Sequence, residues 1–428
     1  MSTAKFRPTH PRSALPYREF VALMAAMQAL NAAAIDTMLP ALPLIGHDLG
    51  VADASQLQWI ITSYVMGTGL GQLVYGPLSD RFGRRQVLLV ALALYVVLSL
   101  LTSLAAGLHS LVTLRIFQGF VAAATSVVSR SVVRDCYSGA SMARVLSTIF
   151  FVFLMVPIVA PSVGQLLLAF VSWRGVFGFI AIFGVAVCTW AAIRLPETLD
   201  PENRRPLGAA HLVRAAHFVL TERSSIFYTV AVSMMFGSLL AYVSTMPQIF
   251  GDVFHAPRLL GPVFAACAAT MGVATLVNAR LVERLGMHAI SHSALLGFIL
   301  VTSLHAAIAS SGHESLLTFV ILQSLTMACF PLATSNFGAI AMVPMGALAG
   351  SASSVQGLIS VVGGAAIASL IGHQWSGSVF ILPAGSACCG IVALVLVLIA
   401  ERAKLFSGSE PDKAWVAPSE SGERAPDL

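Results

Sequence analysis

Two charged residues sit where charge is expensive. Asp36 and Arg115 each lie inside a long apolar run. A charge near the middle of a lipid-embedded helix costs about 2.5–3.5 kcal/mol on insertion scales, so such residues pair or line water. Burial raises the proton affinity of a carboxylate, and a neighbouring guanidinium lowers it. Asp36 is therefore the candidate proton carrier, and Arg115 the residue that tunes it. The plainer alternative is a structural ion pair that fixes two helices. The second concentration of charge is the loop Gly76-Pro77-Leu78-Ser79-Asp80-Arg81-Phe82-Gly83-Arg84-Arg85. Gly83 permits a turn that a side chain would oppose. Asp80 can pair with an arginine, Arg130 and Arg134 being the plausible partners, or cap the next helix. A salt bridge made in only one conformational state would bias that state. A less exact echo, Leu281-Val282-Glu283-Arg284-Leu285-Gly286, repeats the acid-Arg-x-Gly pattern about two hundred residues later. Glu283, Arg284 and Gly286 are its counterparts of Asp80, Arg81 and Gly83, which points to two homologous halves.

The elements that must position these residues follow from composition. The chain has 428 residues, 57% hydrophobic and 10% charged, with a mean hydropathy of +0.85. Soluble domains carry about 25% charged residues. Spans need roughly 20 apolar residues, and about twelve such runs are present: 19–43, 56–78, 86–108, 111–132, 144–170, 175–195, 225–250, 259–281, 289–310, 315–341, 347–371 and 378–400. They do not alternate as β-barrel strands do. The expected fold is an all-α membrane protein of about twelve transmembrane helices in two pseudo-symmetric six-helix halves, 19–195 and 225–401. A cytoplasmic linker, 196–224, joins them, and the tails 1–18 and 402–428 are expected to be disordered. With both termini cytoplasmic, all of the 24 Lys and Arg except Arg115, Arg174 and Arg258 fall on the cytoplasmic side, a strong positive-inside bias. The net charge of +5 thus reads as topology, and no basic soluble face for nucleic acid is present. The six cysteines lack zinc or redox spacing, and the histidines are assigned no metal or catalytic role. No Gly-x-x-x-x-Gly-Lys-Ser/Thr stretch is present to bind ATP.

The Gly-x-Leu-x-Asp-Arg-x-Gly-Arg-Arg loop between the second and third runs resembles the signature loop of the major facilitator superfamily. Asp36-Thr37-Met38-Leu39-Pro40-Ala41-Leu42-Pro43 and the stretch from Gly71 to Arg85 are similar to the bicyclomycin-resistance (Bcr/CflA) branch of drug:proton antiporters. Leu114-Arg115-Ile116-Phe117-Gln118-Gly119 resembles the fourth-helix motif with its intramembrane arginine. Pro157-Ile158-Val159-Ala160-Pro161-Ser162-Val163-Gly164 resembles the fifth-helix antiporter motif, although Ala160 and Gln165 depart from its usual Gly-Pro-x-x-Gly-Gly. Leu195-Pro196-Glu197-Thr198-Leu199 resembles the segment that ends the sixth helix. Thr37-Met38 stands where the branch more often has Met-Tyr.

The resemblance implies an inner-membrane, proton-coupled exporter of amphipathic drugs in a bacterial cell, working by alternating access, without a cofactor and as a monomer. The proton gradient supplies the energy. Asp36 and Arg115 would couple the proton. Gly76, Asp80, Arg81, Gly83, Arg84 and Arg85 would gate with Arg130 and Arg134. Pro157, Pro161 and Gly164 would form a pivot against proton leak, each proline also removing a backbone donor. Tyr64, Gln118, Phe151, Met155, Met234, Met235, Tyr242, Phe330 and Asn336 are candidate substrate contacts, since adaptable methionine and aromatic surfaces suit varied ligands; each is also a plausible packing residue. A transporter of one endogenous metabolite shares nearly every feature. A membrane-embedded enzyme would need a catalytic constellation, and none is visible.

Overall fold

In lipid no water is available to the backbone, so each long apolar segment must satisfy its own amides and becomes helix. The computed structural model describes residues 15–406 apart from 52–53, 138–144, 146–147, 150–155, 157–158, 201, 203–208, 313 and 404. The first half holds α1 (Tyr17–Asp36), the short α2 (Leu42–Asp48), α3 (Gln58–Phe82), α4 (Arg84–Ser103), α5 (Leu108–Cys136), α6 (Val159–Leu168) and α7 (Trp173–Arg194). After α8 (Ala209–Thr221) come α9 (Arg223–Gln248), α10 (Leu260–Leu285), α11 (Met287–Ser310), α12 (Leu316–Met342), α13 (Ala349–His373) and α14 (Ile381–Ala400). Among the described residues ten helical stretches are long and apolar enough to cross a bilayer. The second expected span is α3, which is 25 residues long but more polar. The fifth lies partly outside the described residues, α6 being its described part.

Helix ends follow local chemistry. Gly107 precedes α5, and its N–H bonds Oγ of Ser110 at 3.3 Å. Ser315 caps α12 by accepting from the amide of Thr318 at 3.2 Å, satisfying one of the donors a helix start leaves open. The segment 196–224, read as a break, contains α8. Its apolar residues recur every three or four positions, and Ala215 and Val219 are buried. Val219 packs with Met345, Ala352 and Val355. The prolines and charges around it hide this short pattern.

The halves repeat one another's neighbours. In the first, α3 packs on α5, α4 on α5 and α7, and α1 on α5 and α7. In the second, α10 packs on α12, α11 on α12 and α14, and α9 on α12 and α14. The expected all-α, two-half architecture is borne out. Large apolar side chains such as Val90, Ile182, Leu300, Leu317 and Leu370 are more than half exposed, a surface that only lipid can cover without cost.

The halves meet along α3 and α13, which run antiparallel. Gln58 meets Gly372 at one end, and Gly76 lies opposite Ser354 towards the other. The basal end holds the start of α1, the turn at Gly83, α8 and the end of α14. Glu19 at the start of α1 pairs with Arg194 at the end of α7, Nε to Oε1 at 2.6 Å. The far end holds the turns before α3 and after α9.

Candidate functional site

Arg115 has no exposed surface, and α5 drives it into the core of the first half. Its Nε donates to the carbonyl of Ile60 at 3.1 Å, Nη1 to Oε1 of Gln118 at 2.9 Å and Nη2 to the carbonyl of Ala34 at 3.1 Å. Its guanidinium lies over the ring of Tyr64, 4.2 Å from the centroid. Gln118 in turn donates to Oγ of Ser99 at 2.7 Å, and Tyr64 donates to Oδ1 of Asn31 at 3.0 Å. This network ties α1, α3, α4 and α5 together. Hydrogen bonds and a π face thus stabilise the buried cation, and the alternative reading, a structural ion pair with Asp36, is not formed.

Asp36 ends α1, is 6% exposed and forms no hydrogen bond or ion pair among the described residues. Gly164 on α6 approaches it so closely that a Cβ there would lie 2.1 Å from the carbonyl of Thr37. Across the seam, Tyr242 of α9 lies within electrostatic reach of Asp36. The buried Tyr242 hydroxyl lies beside the Cys267 thiol of α10, and its ring stacks on Phe264 at 5.3 Å. A buried carboxylate from one half and a buried hydroxyl from the other thus share one electrostatic environment at the seam. The carboxylate has no hydrogen bond of its own among the described residues, which leaves a receptive polar spot where the halves meet.

The far end above this spot is fastened by side chains that cross the seam. Nε2 of Gln58 donates to Oε1 of Gln248 at 3.1 Å and to the carbonyl of Gly372 at 3.2 Å. Gln165 donates to the carbonyl of Pro257 at 2.8 Å. A cavity of about 280 Å³ opens nearby, lined by Pro40, Pro43, Gln165, Pro247 and Arg258 among others; Asp36 does not line it.

At the basal end, Gly83 separates α3 from α4 with φ 98° and ψ 150°, a region essentially reserved for glycine. A Cβ on Gly83 would lie 2.4 Å from Oε2 of Glu197. The Glu197 carboxylate caps α4, accepting from the amides of Arg84 at 2.9 Å and Arg85 at 3.2 Å, where the helix dipole favours negative charge. Arg84 is 3% exposed. Its Nη1 lies 2.5 Å from Oδ1 of Asp80, and its Nε 3.0 Å from Oδ2 of Asp135. Arg85 donates to the carbonyl of Ala192 at 2.7 Å. The expected roles are therefore redistributed. Asp80 pairs with Arg84, Glu197 makes the helix cap, and Asp135 closes the network. Arg130 bonds the carbonyl of Ser126 at 3.1 Å on its own helix, and Arg134 points outward. Sequence reasoning passed over Asp135 and gave Glu197 no role; an acid directly after the sixth span was the available signal. Gly76 faces α13, with Ser354 the nearest neighbour, and Arg81 lies against the ring of Phe82.

The remaining candidates scatter. Met235 is buried in the second-half core with Tyr228 and Phe298, and Phe330 lies in the same cluster, with Met234 packed on it. Asn336 donates to Oδ1 of Asn278 at 2.8 Å, bridging α12 and α10. Tyr64 and Gln118 are occupied by the Arg115 network, and Tyr242 lies within electrostatic reach of Asp36. Met155, Phe151 and Pro157 lie outside the described residues, while Pro161 and Gly164 are on α6. Gly286 repeats the backbone of Gly83, with φ 80° and ψ 160°. Arg284 is exposed beside it, and the Glu283 side chain lies outside the described residues. His288 and His292 stand four apart on α11, a His-x-x-x-His spacing that reading the histidines as loop and span-end residues overlooked. They join Tyr228 and Glu401 in a buried polar cluster.

Two helical halves with matching internal contacts, a seam between them and a buried carboxylate at that seam define a multi-pass, two-half membrane protein. A sequence profile of the Major Facilitator Superfamily matches residues 24–368, and the chain belongs to that family. An uncharacterized MFS-type transporter of Bacillus subtilis, YdgK, is 32% identical over 82% of this chain and 87% of its own length. A bicyclomycin resistance protein homolog of Haemophilus influenzae is 28% identical over 82% and 88%. The multidrug resistance protein MdtL of Escherichia coli is 28% identical over 89% and 95%. The likeness to the Bcr/CflA branch holds among these relatives. A crystal structure of a D-xylose-proton symporter shares the fold at a TM-score of 0.71 and 15% identity, covering 91% of this chain and 99% of that one. The protein is a membrane transporter of small molecules rather than an enzyme.

Proposed function

We propose that this transporter exports amphipathic drugs in exchange for protons across a bacterial inner membrane, with its basal end cytoplasmic. The observation that carries the reading is Asp36, a buried carboxylate at the seam with no hydrogen bond or ion pair among the described residues, within electrostatic reach of Tyr242 of the other half. Relatives named for bicyclomycin and multidrug resistance support the drug class. A carboxylate in this setting holds a proton while dry and loses it when the seam opens to water or a cationic ligand arrives. Proton entry then supplies the work, since each charge crossing 100 mV contributes about 2.3 kcal/mol. Arg115 acts through position, holding α1 and α3 by the carbonyls of Ala34 and Ile60 while leaving the Asp36 carboxylate unpaired. Rocking of the halves along α3 and α13 would break the far-end clasp of Gln58, Gln248 and Gly372 and open the site outward.

The test is a drug-susceptibility panel in an efflux-deficient bacterial host, with wild type, Asp36→Asn and empty vector at matched membrane levels. Protection by wild type against several unrelated compounds, lost in Asp36→Asn, is the expected result. No protection by wild type moves a single-metabolite transporter ahead. Equal protection by the variant removes Asp36 from coupling.

A further inference from the structure

A second arginine of α5 stands apart from the Arg115 network. Arg130 lies six residues before the end of α5 at Cys136, about 9 Å inside the helix end. An arginine at the lipid surface runs its head towards the nearer water. Arg130 turns the opposite way, its Nε donating to the carbonyl of Ser126, one turn deeper, at 3.1 Å. It is exposed, yet Val128, Ser129 and Ser131 beside it are buried, and surrounding protein strips its guanidinium of solvent. An open side chain hemmed in by protein marks the wall of an internal cleft. The acids of the first half are engaged elsewhere. Asp80 and Asp135 pair with Arg84, Glu19 with Arg194 and Asp48 with Arg174, while Glu197 caps α4. Among the described residues no acid pairs with Arg130.

Donor counting around Ser126 shows what this wall offers. The Ser126 hydroxyl donates to Oε1 of Gln28 at 2.7 Å and accepts from Nδ2 of Asn31 at 3.4 Å. Oδ1 of Asn31 accepts from the Tyr64 hydroxyl at 3.0 Å. Both groups of Asn31 are thus used. Gln28 has its oxygen used and its two N–H donors left over, and Arg130 has Nε used and both Nη groups left over. Ser126 touches both residues, one through its hydroxyl and the other through its carbonyl, so the spare donors flank one point. Gln28 is half-buried and Arg130 exposed, so both are open to the cleft. Among the described residues no acceptor meets these donors. A surplus of donors that includes a full positive charge is best answered by an anion.

We propose that Arg130 and Gln28 form a subsite for the anionic group, a carboxylate or its like, of an amphipathic substrate. The guanidinium fork takes two oxygens side by side, and the Gln28 amide supplies a further donor. The assignment rests on the reading of the seam as a transport path, and it names the substrate class that the path takes. Asp36 lies eight residues along α1 from Gln28, about 12 Å of helix rise. A substrate held by its anionic end at Arg130 directs its other end along α1 towards Asp36 and Tyr242, and the two carboxylates are kept apart. Arg115 does not compete for the anion. Its guanidinium has no exposed surface, and each of its three nitrogens already donates.

The test is binding of dansylglycine and of its methyl ester, read by dansyl fluorescence on the purified full chain in a neutral detergent at about pH 7.5, where a carboxylate is ionised. The probes differ by one methyl group and one charge. Wild type is expected to bind dansylglycine about tenfold or more tightly than the ester. Arg130→Gln should bind both alike, and Arg130→Lys should recover only part of the preference, since a point charge does not reproduce the fork. Gln28→Ala leaves the guanidinium in place and should narrow the preference severalfold, which keeps the test open if Arg130→Gln does not fold. Asp36→Asn should keep the full preference. Absence of drug protection by wild type would remove the drug reading and leave this preference in place, so the two failures are distinguishable. Equal affinities in wild type, no binding of either probe up to about 1 mM, or a preference kept in Arg130→Gln or lost in Asp36→Asn would each overturn the subsite. Phosphatidylglycerol added to the micelles is expected to leave the preference unaltered; its loss there would give the donors to a lipid headgroup instead of a substrate.

Discussion

The two basal turns have the same backbone and opposite chemistry. Gly83 and Gly286 each end one helix and begin the next with φ near the positive extreme and extended ψ. Each half also places a glutamate just after its last helix, Glu197 after α7 and Glu401 after α14. In the first half that acid caps α4 and sits beside an Asp80–Arg84–Asp135 network. Arginine is charged at every physiological pH, so the fastening is permanent. In the second half Glu401 is buried and meets a tyrosine hydroxyl and two histidines. These partners form a hydrogen-bonded chain and include no guanidinium. The same backbone joint is fastened by ion pairs in one half and by a buried hydrogen-bonded chain in the other.

The comparison breaks first at the glycines. Gly83→Ala should abolish drug protection, because the strained backbone costs about 1–3 kcal/mol and the new Cβ also displaces the Glu197 carboxylate. Gly286→Ala carries the same strain with nothing within 4 Å of the Cβ, so it should retain more protein and activity; membrane abundance and susceptibility, measured in parallel, check this. Next, Arg84→Ala strips Asp80 and Asp135 of their partner and should destabilise by roughly 2–4 kcal/mol, discounted because Asp80 is 38% exposed. Arg84→Lys should recover only part of the loss in detergent melting temperature, since a point charge does not reproduce the two-sided fork. Glu197→Gln should cost about 1 kcal/mol of capping and leave the pH profile of activity unmoved. Glu401→Gln, which replaces the buried charged acceptor of the Tyr228 hydroxyl with a neutral one, should cost more, about 1–3 kcal/mol, and equal losses of melting temperature would erase the contrast. The smallest effect is expected at the far end. Gln58→Ala removes two hydrogen bonds across the seam, worth about 1 kcal/mol each, and should raise the labelling rate of a cysteine placed near the Pro40–Pro257 cavity by about tenfold or less.

Legibility was uneven for physical reasons. Gly83, Asp80 and Arg84 were readable because a turn between helices needs local residues in local order. Arg115 and Asp36 were readable as costly charges, but their relation was not. Arg115 satisfies itself with carbonyls from α1 and α3, and carbonyls leave no trace in residue type. Gln118 and Tyr64 looked like cavity residues, and their polar atoms proved to serve the arginine. Asp135 and Glu197 were hidden because their partners lie 51 and 113 residues away in the chain.

Sequence alone determined the solvent and the two-half plan. Twelve apolar runs, a charge bias between loops and an internal echo suffice, because hydropathy acts over one helix and repeats act over one half. Tertiary structure decided which charges are paired. It gave Arg115 its hydrogen bonds, left Asp36 without any, and set Tyr242 across the seam from it. It also turned two equivalent glutamates into a helix cap and the end of a histidine chain. Pairing depends on distances between helices, and a linear pattern of apolar residues fixes the faces of helices but not their neighbours.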